Sequence, residues 1–319
     1  MSTTVAPSPP PATLLDPSVL ARIGNLELLA RVVVEGFIHG LHRSPLLGAS
    51  ADFAEHRAYM PGDDIRRIDW RVFARTDRFY VKEYEAETNT NFTVVIDASA
   101  SMRYGADAES GRVSKLTYGC FLAACLSYFS SMQRDRVGLA VVDRDVVEYV
   151  PNSAKHLQLI LHTLDRIERH AREGDTKVAP GRSMLLAPLQ KLSETVRRRS
   201  LVAVISDFYE DPDAVIAALN QLRGRGNDLM VFHLLDPREL DFSFSDASNF
   251  IDMETGEKMP VIPEYLRQQY QKLVREHTAA LAKRIGESRA DYAVFDTSKP
   301  LDRALFAYLA SRQRFNRVR

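Results

Sequence analysis

The sequence predicts an α/β fold, a doubly wound, mostly parallel sheet with helices on both of its faces. Three observations support this fold: short and almost wholly apolar runs, amphipathic segments between them, and polar residues directly after several of the runs. Apolar runs of this length are typical of strands that are buried on both faces, as in a parallel sheet covered by helices. The runs occupy residues 92–96, 137–142, 201–205, 229–235 and 292–295.

Three of the segments between these runs carry apolar residues at the spacing of an amphipathic helix. They predict helices within residues 157–167, 185–196 and 266–285. Residues 142–146 differ, because only three charged residues there separate two apolar stretches, which favours a tight turn between adjacent strands. In a sheet of this kind the functional side chains follow the carboxyl ends of the strands.

The chain is expected to have three regions. Residues 1–16 are rich in proline and have the composition of a disordered tail. Residues 17–90 begin with a helical pattern and continue into a densely charged segment, and we expect this region to pack on the main domain. Residues 91–316 form the α/β domain.

Composition and charge exclude several classes of protein. The 42 Lys and Arg residues balance 42 Asp and Glu residues, so no overall positive charge attracts nucleic acid or an anionic membrane. The N-terminal sequence lacks the regions of a signal peptide, and no segment has the ~20 apolar residues that span a bilayer. Cys120 and Cys125 are typical of buried apolar positions. We therefore expect a cytoplasmic protein that binds no nucleic acid and does not insert directly into a membrane.

The polar residues after the first apolar run form a candidate ligand set. Asp97, Ser99 and Ser101 occur at i, i+2 and i+4, a spacing that lets side chains on a curling loop point the same way. Ser206 and Asp207 follow the run at residues 201–205 and place a second carboxylate at a strand end. If the two strands are neighbours, Asp97 and Asp207 come close together and repel each other unless a cation neutralises them.

An all-oxygen ligand set favours Mg²⁺ or Mn²⁺ over Zn²⁺ or Cu²⁺. We predict that Asp97, Ser99, Ser101, Ser183 and Asp207 form a divalent-metal site. The hydroxyl of Ser183 has a second interpretation, because it precedes a predicted helix that it could cap. Mg²⁺ keeps some of its waters, so a carboxylate from another protein could fill an open position. The alternative for the whole set is that Asp and Ser after a strand are ordinary turn residues.

The same residues resemble the metal-ion-dependent adhesion site of von Willebrand factor A domains. That motif is Asp-x-Ser-x-Ser, followed by a Thr and then an Asp. Asp97, Ser99, Ser101 and Asp207 match it, whereas Ser183 stands where the family usually has Thr and keeps only the hydroxyl. The resemblance implies a von Willebrand factor A-like fold from about residue 91 onward.

A second resemblance covers residues 19–314 and links the chain to the bacterial family called domain of unknown function 58. Its most specific part is the stretch RAYMPGDDIRRIDW at residues 57–70, and shorter matches are LDPRE at 235–239 and DMETG at 252–256. Membership implies an association with MoxR-class AAA+ ATPases, which are thought to help assemble or activate other protein complexes. That expectation rests on analogy with the family.

The charged segment at residues 57–75 has two interpretations. Its arginines and aspartates, with Trp70 among them, are typical of a salt-bridged wrap that attaches the N-terminal region to the main domain. Arg and Trp are also enriched where proteins bind partners, so the segment could instead be a docking surface.

These features favour a non-catalytic, metal-dependent interaction module whose metal binds an acidic residue of a partner protein. The alternative is a Mg²⁺-dependent hydrolase or phosphotransferase with Asp97 as its nucleophile. Haloacid dehalogenase-like enzymes place a second acidic residue two positions after that aspartate, where this chain has Ser99, and no lysine for phosphate binding is evident near a strand end. A third possibility is a purely structural domain whose site binds no metal.

Overall fold

A six-stranded sheet lies at the centre of the computed structural model, with the strand order β10-β7-β6-β3-β4-β5. The structure describes residues 16–43, 56–58, 79–82, 90–107, 110–173, 185–196 and 199–318. The sheet consists of β3 (Asn91–Asp97), β4 (Arg136–Val142), β5 (Val146–Ser153), β6 (Leu201–Ser206), β7 (Asp228–Leu235) and β10 (Asp291–Asp296). All neighbouring strands are parallel except β5, which pairs antiparallel with β4. This topology confirms the predicted doubly wound, mostly parallel sheet.

The helices cover both faces of the sheet. They are α1 (Pro17–Leu20), α2 (Leu26–Arg43), α3 (Lys115–Met132), α4 (Leu157–Glu173), α5 (Leu186–Thr195), α6 (Pro212–Arg223), α7 (Pro237–Asp241), α8 (Pro263–Glu287) and α9 (Asp302–Val318). A short 3₁₀ turn, Ser101–Arg103, follows β3, and a separate two-stranded hairpin joins β8 (Ser248–Ile251) to β9 (Lys258–Val261). The three helices predicted from apolar spacing correspond to α4, α5 and α8, and the predicted tight turn joins β4 to β5.

One face of the sheet packs against α5, α6 and α8. The buried cluster there includes Val95 and Val204 from the central strands, with Leu189, Leu219 and Leu281 from the three helices. The two valines suit strands that are buried on both faces, because their stiff, β-branched side chains pack well on a pleated surface.

The opposite face is covered by α3 and α9. Gly119 of α3 lies directly over the sheet, where a Cβ atom would be 3.4 Å from the side chains of Ile96 and Ile205. The absence of a side chain therefore lets α3 approach the two central strands closely. The ring of Tyr308 from α9 meets the ring of Phe92 edge to face at a centroid distance of 5.4 Å.

The chain divides into two units, residues 1–37 with 90–319, and residues 38–89. In the second unit, β1 (His56–Ala58) pairs antiparallel with β2 (Tyr80–Lys82). Trp70 and most of the charged segment lie outside the described residues, as does the Pro-rich region before residue 16. The disordered tail, and the packing of residues 17–90 on the main domain, therefore stay predictions.

Within the part of the chain that the structure describes, none of the helices combines the length and the apolarity needed for a bilayer crossing. Cys120 and Cys125 are both free thiols buried within α3, as their apolar surroundings in the sequence predict.

Candidate metal centre

The candidate site lies at the carboxyl edge of the sheet, where β3 and β6 are neighbours. Ile96 is in register with Ile205, so Asp97 and the residues after β6 emerge side by side. The connection from β3 leads to β4 on one side, whereas β6 leads to β7 on the other. The strand order thus reverses between β3 and β6, which is where doubly wound sheets form a ligand crevice.

Asp97, the last residue of β3, is only 4% exposed and is held by hydrogen bonds on both carboxylate oxygens. Its Oδ1 accepts a bond from the backbone N–H of Ser99 at 2.9 Å, and its Oδ2 accepts one from the Ser206 hydroxyl at 2.6 Å. The side chain is therefore fixed in position by residues from both strand ends.

The two serines of the motif come together as predicted. The hydroxyl oxygens of Ser99 and Ser101 are 3.2 Å apart. Ser101 begins the 3₁₀ turn, which turns the chain back over the end of the sheet. Ser183, the fifth predicted ligand, lies outside the described residues, so its two interpretations both remain predictions.

Asp207 follows β6 at a sharply turned segment. The next residue, Phe208, has φ of 45°, a left-handed backbone conformation that is unusual for a bulky side chain. Its N–H is bonded to the Ser206 hydroxyl at 3.1 Å, and its buried ring packs edge to face on His233. These contacts hold the turn that places the buried carboxylate of Asp207 near Asp97.

Lys115 is the residue that the sequence did not reveal. It is the first residue of α3 and is fully buried, with its Nζ 2.7 Å from Asp207 Oδ2 and 2.7 Å from Glu239 Oε1. No lysine for phosphate binding was evident from the sequence, and the structure shows this lysine already paired with two carboxylates. The ammonium group also lies 4.6 Å from the centroid of the Tyr209 ring.

Asp207 and Glu239 stabilise the charge of Lys115, which is buried at the N-terminus of α3. A cation at a helix N-terminus opposes the helix dipole, and burial disfavours any charge. Burial lowers the pKa of Lys115, but Asp207 and Glu239 outweigh it and hold the pKa above its ordinary value. Glu239 is fixed in turn by a capping box at the start of α7, in which its Oε2 accepts the N–H of Asp236.

Lys115 pairs with Asp207 and Glu239, and these two ion pairs do not include Asp97. Burial, and then the charge of Asp207, raise the pKa of Asp97 to about 7, although bonds from Ser206 and Ser99 act in the opposite direction. The positive charge of Lys115 thus offsets the negative charges of Asp207 and Glu239, but the pKa of Asp97 remains raised. A hard divalent cation fits this arrangement, because it would neutralise both carboxylates and accept the serine hydroxyls as ligands.

Such a cation would depend on hydroxyls and water for several of its ligands. Among the described residues, no group of three or more His, Cys, Asp or Glu side chains has the geometry to hold a metal. The described residues that could bind the cation are Asp97, Asp207, Ser99 and Ser101. Mg²⁺ tolerates such a site, since it retains waters and uses one or two protein carboxylates.

A cleft of about 1080 Å³ opens in front of these residues. Apolar and aromatic side chains form much of its wall, including Tyr209, Phe242, Phe250, Met259, Tyr270 and Leu273. Its charged residues are mostly carboxylates, among them Glu210 and Glu254. The N–H of Ser101 donates a bond to Glu254 Oε1 at 3.0 Å, so the loop of the β8–β9 hairpin reaches the site.

Sequence reasoning missed Lys115, Glu239 and Glu254 because their roles depend on tertiary structure. Ser114 before an apolar stretch is a helix-start signal, and its hydroxyl accepts the N–H of Thr117 at 3.1 Å. That signal locates the beginning of α3 but does not show that the first side chain is buried. Glu254 lies in the DMETG match, where spacing alone gives no hint of a contact with Ser101.

Comparisons with known proteins identify relatives over most of the chain. The family profile described as Protein of unknown function DUF58 matches residues 55–280. Uncharacterised proteins of Mycobacterium bovis and Mycobacterium tuberculosis are 26% identical over 308 residues, which cover 94% of this chain and 91% of each relative.

Several solved structures are also similar to this chain. The BatB protein of Bacteroides thetaiotaomicron is 13% identical and covers 72% of this chain and 99% of its own, with a TM-score of 0.44. An aerotolerance-related membrane protein of Bacteroides fragilis is 17% identical with the same coverage and TM-score. The von Willebrand factor A domain of SpRpn10 covers 46% of this chain and 75% of its own at 13% identity, with a TM-score of 0.30.

Proposed function

Because the chain belongs to the DUF58 family of proteins of unknown function and has a doubly wound, mostly parallel sheet, we propose that it is a metal-dependent protein-interaction module. In this proposal Asp97, Ser99, Ser101 and Asp207 hold Mg²⁺ or Mn²⁺, with Ser183 as a further candidate ligand. An Asp or Glu of a partner protein fills the open coordination position. The module itself catalyses no reaction.

The observation that carries the proposal is the convergence of two buried aspartates and two paired serine hydroxyls at the ends of adjacent strands. Two buried aspartates lie at adjacent strand ends beside paired hydroxyls, and the available lysine does not remove the charge imbalance at Asp97. A divalent cation would remove it and would leave one face of the metal open toward the cleft. A partner carboxylate arriving there would be bound by a strong charge-assisted contact.

A phosphotransferase is the second candidate, since Lys115 supplies a cation that the sequence did not predict. Its Nζ is buried and bonded to Asp207 and Glu239, which leaves its charge already compensated. The position two residues after Asp97 is a serine, which is a poor general acid or base. Mg²⁺-dependent hydrolysis of a generic phosphomonoester, lost in Asp97→Asn, would favour this candidate over the interaction module.

The proposed partner is a MoxR-class AAA+ ATPase, and the proposed location is the cytoplasm. The support for this partner is the family resemblance across residues 19–314. The balanced net charge and the von Willebrand factor A-like fold are compatible with a soluble complex in which the ATPase or its client provides the acidic residue. Co-purification with the MoxR-class ATPase of the same organism, in Mg²⁺ and then in EDTA, tests this partnership.

Calorimetry with Mn²⁺ tests the metal site directly. We expect one Mn²⁺ to bind per chain, and we expect Asp97→Ala to abolish that binding while the circular dichroism spectrum stays unchanged. Asp228→Ala is the matched control, because Asp228 begins β7 at the opposite end of the same sheet. Equal Mn²⁺ affinity in the wild type and in Asp97→Ala would exclude the proposed site.

A further inference from the structure

Glu254 is a carboxylate that the protein itself delivers to the candidate site. Its Oε1 accepts the backbone N–H of Ser101 at 3.0 Å, and the hydroxyl of the same Ser101 pairs with that of Ser99. The two residues are far apart in the chain, so the contact exists only because the β8–β9 hairpin folds over the end of the sheet. A carboxylate at this point has the chemistry proposed for the acidic residue of a partner.

The turn that carries Glu254 is fixed by the side chain of Asp252 and by the backbone conformation of Gly256. Asp252 Oδ1 accepts the N–H of Glu254 at 2.7 Å and that of Thr255 at 3.1 Å, and Gly256 has a positive φ of 75°. Side-chain bonds of this type are typical of Asp in tight turns, and a positive φ favours glycine. The turn therefore presents Glu254 in a defined position.

The hairpin packs on the neighbouring aromatic residues through Phe250. The ring of Phe250 packs on the rings of Phe242 and Phe244 with centroid distances of 5.8 and 4.9 Å. Beyond that cluster, Ile251 and Met259 are 56% and 60% exposed. A two-stranded hairpin with little of its apolar surface buried has low local stability, so it can leave the site without unfolding the sheet.

Electrostatics oppose the presence of Glu254 where the site has no cation. Glu210 lies nearby, and its pKa is raised by burial and by the charges of Asp207 and Glu254, against the bond that it accepts from the N–H of Leu185. Like charges repel each other, so a divalent cation bound at the proposed site would favour the contact between Glu254 and Ser101. Glu254 contacts Ser101, one of the proposed ligands, so its carboxylate lies beside the proposed metal site.

We propose that Glu254 is an internal competitor, which occupies the position of the partner's carboxylate until a partner displaces it. This inference rests on the proposed metal-dependent function and adds a regulatory step to it. Met253 precedes Glu254 and lines the cleft together with Tyr270 and Leu273. A fitting partner segment therefore has the same chemistry, an acidic residue in a turn that follows an apolar side chain.

The test uses the full chain loaded with Mn²⁺ and acetate as the carboxylate probe. Water-proton relaxation reports how many waters remain on the bound Mn²⁺, and acetate that replaces a water lowers the signal. We expect Glu254→Gln and Glu254→Ala to reduce the acetate concentration for half-displacement by about tenfold, since a competitor that fills the position nine-tenths of the time reduces apparent affinity by that factor.

Glu257→Gln is the matched control, because Glu257 lines the same cleft and ends the same turn. It should give the wild-type acetate curve. Acetate curves for both Glu254 variants that coincide with that of the wild type would overturn the inference while leaving the metal site intact. Absence of Mn²⁺ binding that depends on Asp97 would overturn the proposed function as well, and this result is visible before acetate is added.

Discussion

At the scale of single residues, the protonation of Asp97 makes stability depend on pH. Burial and the charge of Asp207 raise its pKa from 3.8 to about 7 in the folded protein. Between these values the folded state holds a proton that the unfolded state releases. Rising pH therefore favours unfolding throughout this window, and the effect is complete above pH 7.

We expect Asp97→Asn to gain stability relative to the wild type as the pH rises from 5 to 8 in the presence of EDTA. Urea unfolding at both pH values measures the difference. The comparison with the variant is needed because other carboxylates also titrate. Parallel pH profiles for the two proteins would show that Asp97 titrates in its ordinary range.

Lys115 provides a second prediction at this scale. Replacing it with methionine leaves the carboxylates of Asp207 and Glu239 without their shared cation. Removing one partner of a buried ion pair costs about 3–5 kcal/mol. The free energy of unfolding in urea should fall by this amount.

Lys191→Met is the matched control for that experiment. Lys191 pairs with Asp145, but both side chains are largely exposed, so solvent screens the pair and its loss should matter little. A Lys115→Met protein as stable as the Lys191→Met protein would indicate that water reaches Asp207 and Glu239.

The sequence predicted part of the candidate site for a clear physical reason. The spacing of Asp97, Ser99 and Ser101 is local, and their convergence follows from a loop that curls after a strand. The position of Asp207 followed from its place after an apolar run. Lys115 could not be predicted, because whether the first side chain of a helix is buried depends on the acids that surround it.

At the scale of elements, the pairing of β4 and β5 depends on Gly138. The side chain of Asn152 crosses from β5 over β4, and its Nδ2 donates to the carbonyl of Phe92 at 2.8 Å and to the Thr93 hydroxyl at 3.0 Å. A Cβ atom on Gly138 would lie 2.9 Å from Asn152 Nδ2 and 3.0 Å from the carbonyl oxygen of Val150. Glycine is therefore required where this buried side chain passes.

We expect Gly138→Ala to lower the free energy of unfolding by about 1–3 kcal/mol, the usual cost of overpacking. Gly286→Ala in α8 is the opposite case, because a Cβ atom there meets nothing within 4 Å. Alanine in a helix is favoured over glycine, so that variant should gain about 0.5–1 kcal/mol. Thermal or urea unfolding of the two proteins separates these outcomes, and a stabilised Gly138→Ala would contradict the packing described.

The sequence predicted the strands and helices whose apolar residues form one simple pattern. The central strands are uniformly apolar and short, and α4 has a single apolar stripe. The side chains of α3 are buried on almost every side, so its sequence carries no stripe to mark it as a helix. The strands of the β8–β9 hairpin are four residues each and mostly exposed, which leaves them without the alternation that predicts a strand.

At the scale of the whole molecule, the fold class followed from the order of the apolar runs, but the division into units did not. Residues 1–37 group with residues 90–319 although a second unit lies between them in the chain. The sequence pattern groups the helical residues that begin at residue 17 with the charged segment that follows them. Only tertiary contacts show that α2, as far as Phe37, belongs with the sheet domain.

Phe37 of α2 packs edge to face against Phe306 of α9, with ring centroids 4.8 Å apart. These two rings are 269 residues apart in the sequence. During translation at about 5–20 residues per second, Phe37 leaves the ribosome on the order of tens of seconds before its neighbour is synthesised. Phe37 therefore lacks this contact for that time, during which a chaperone that binds nascent chains can cover it.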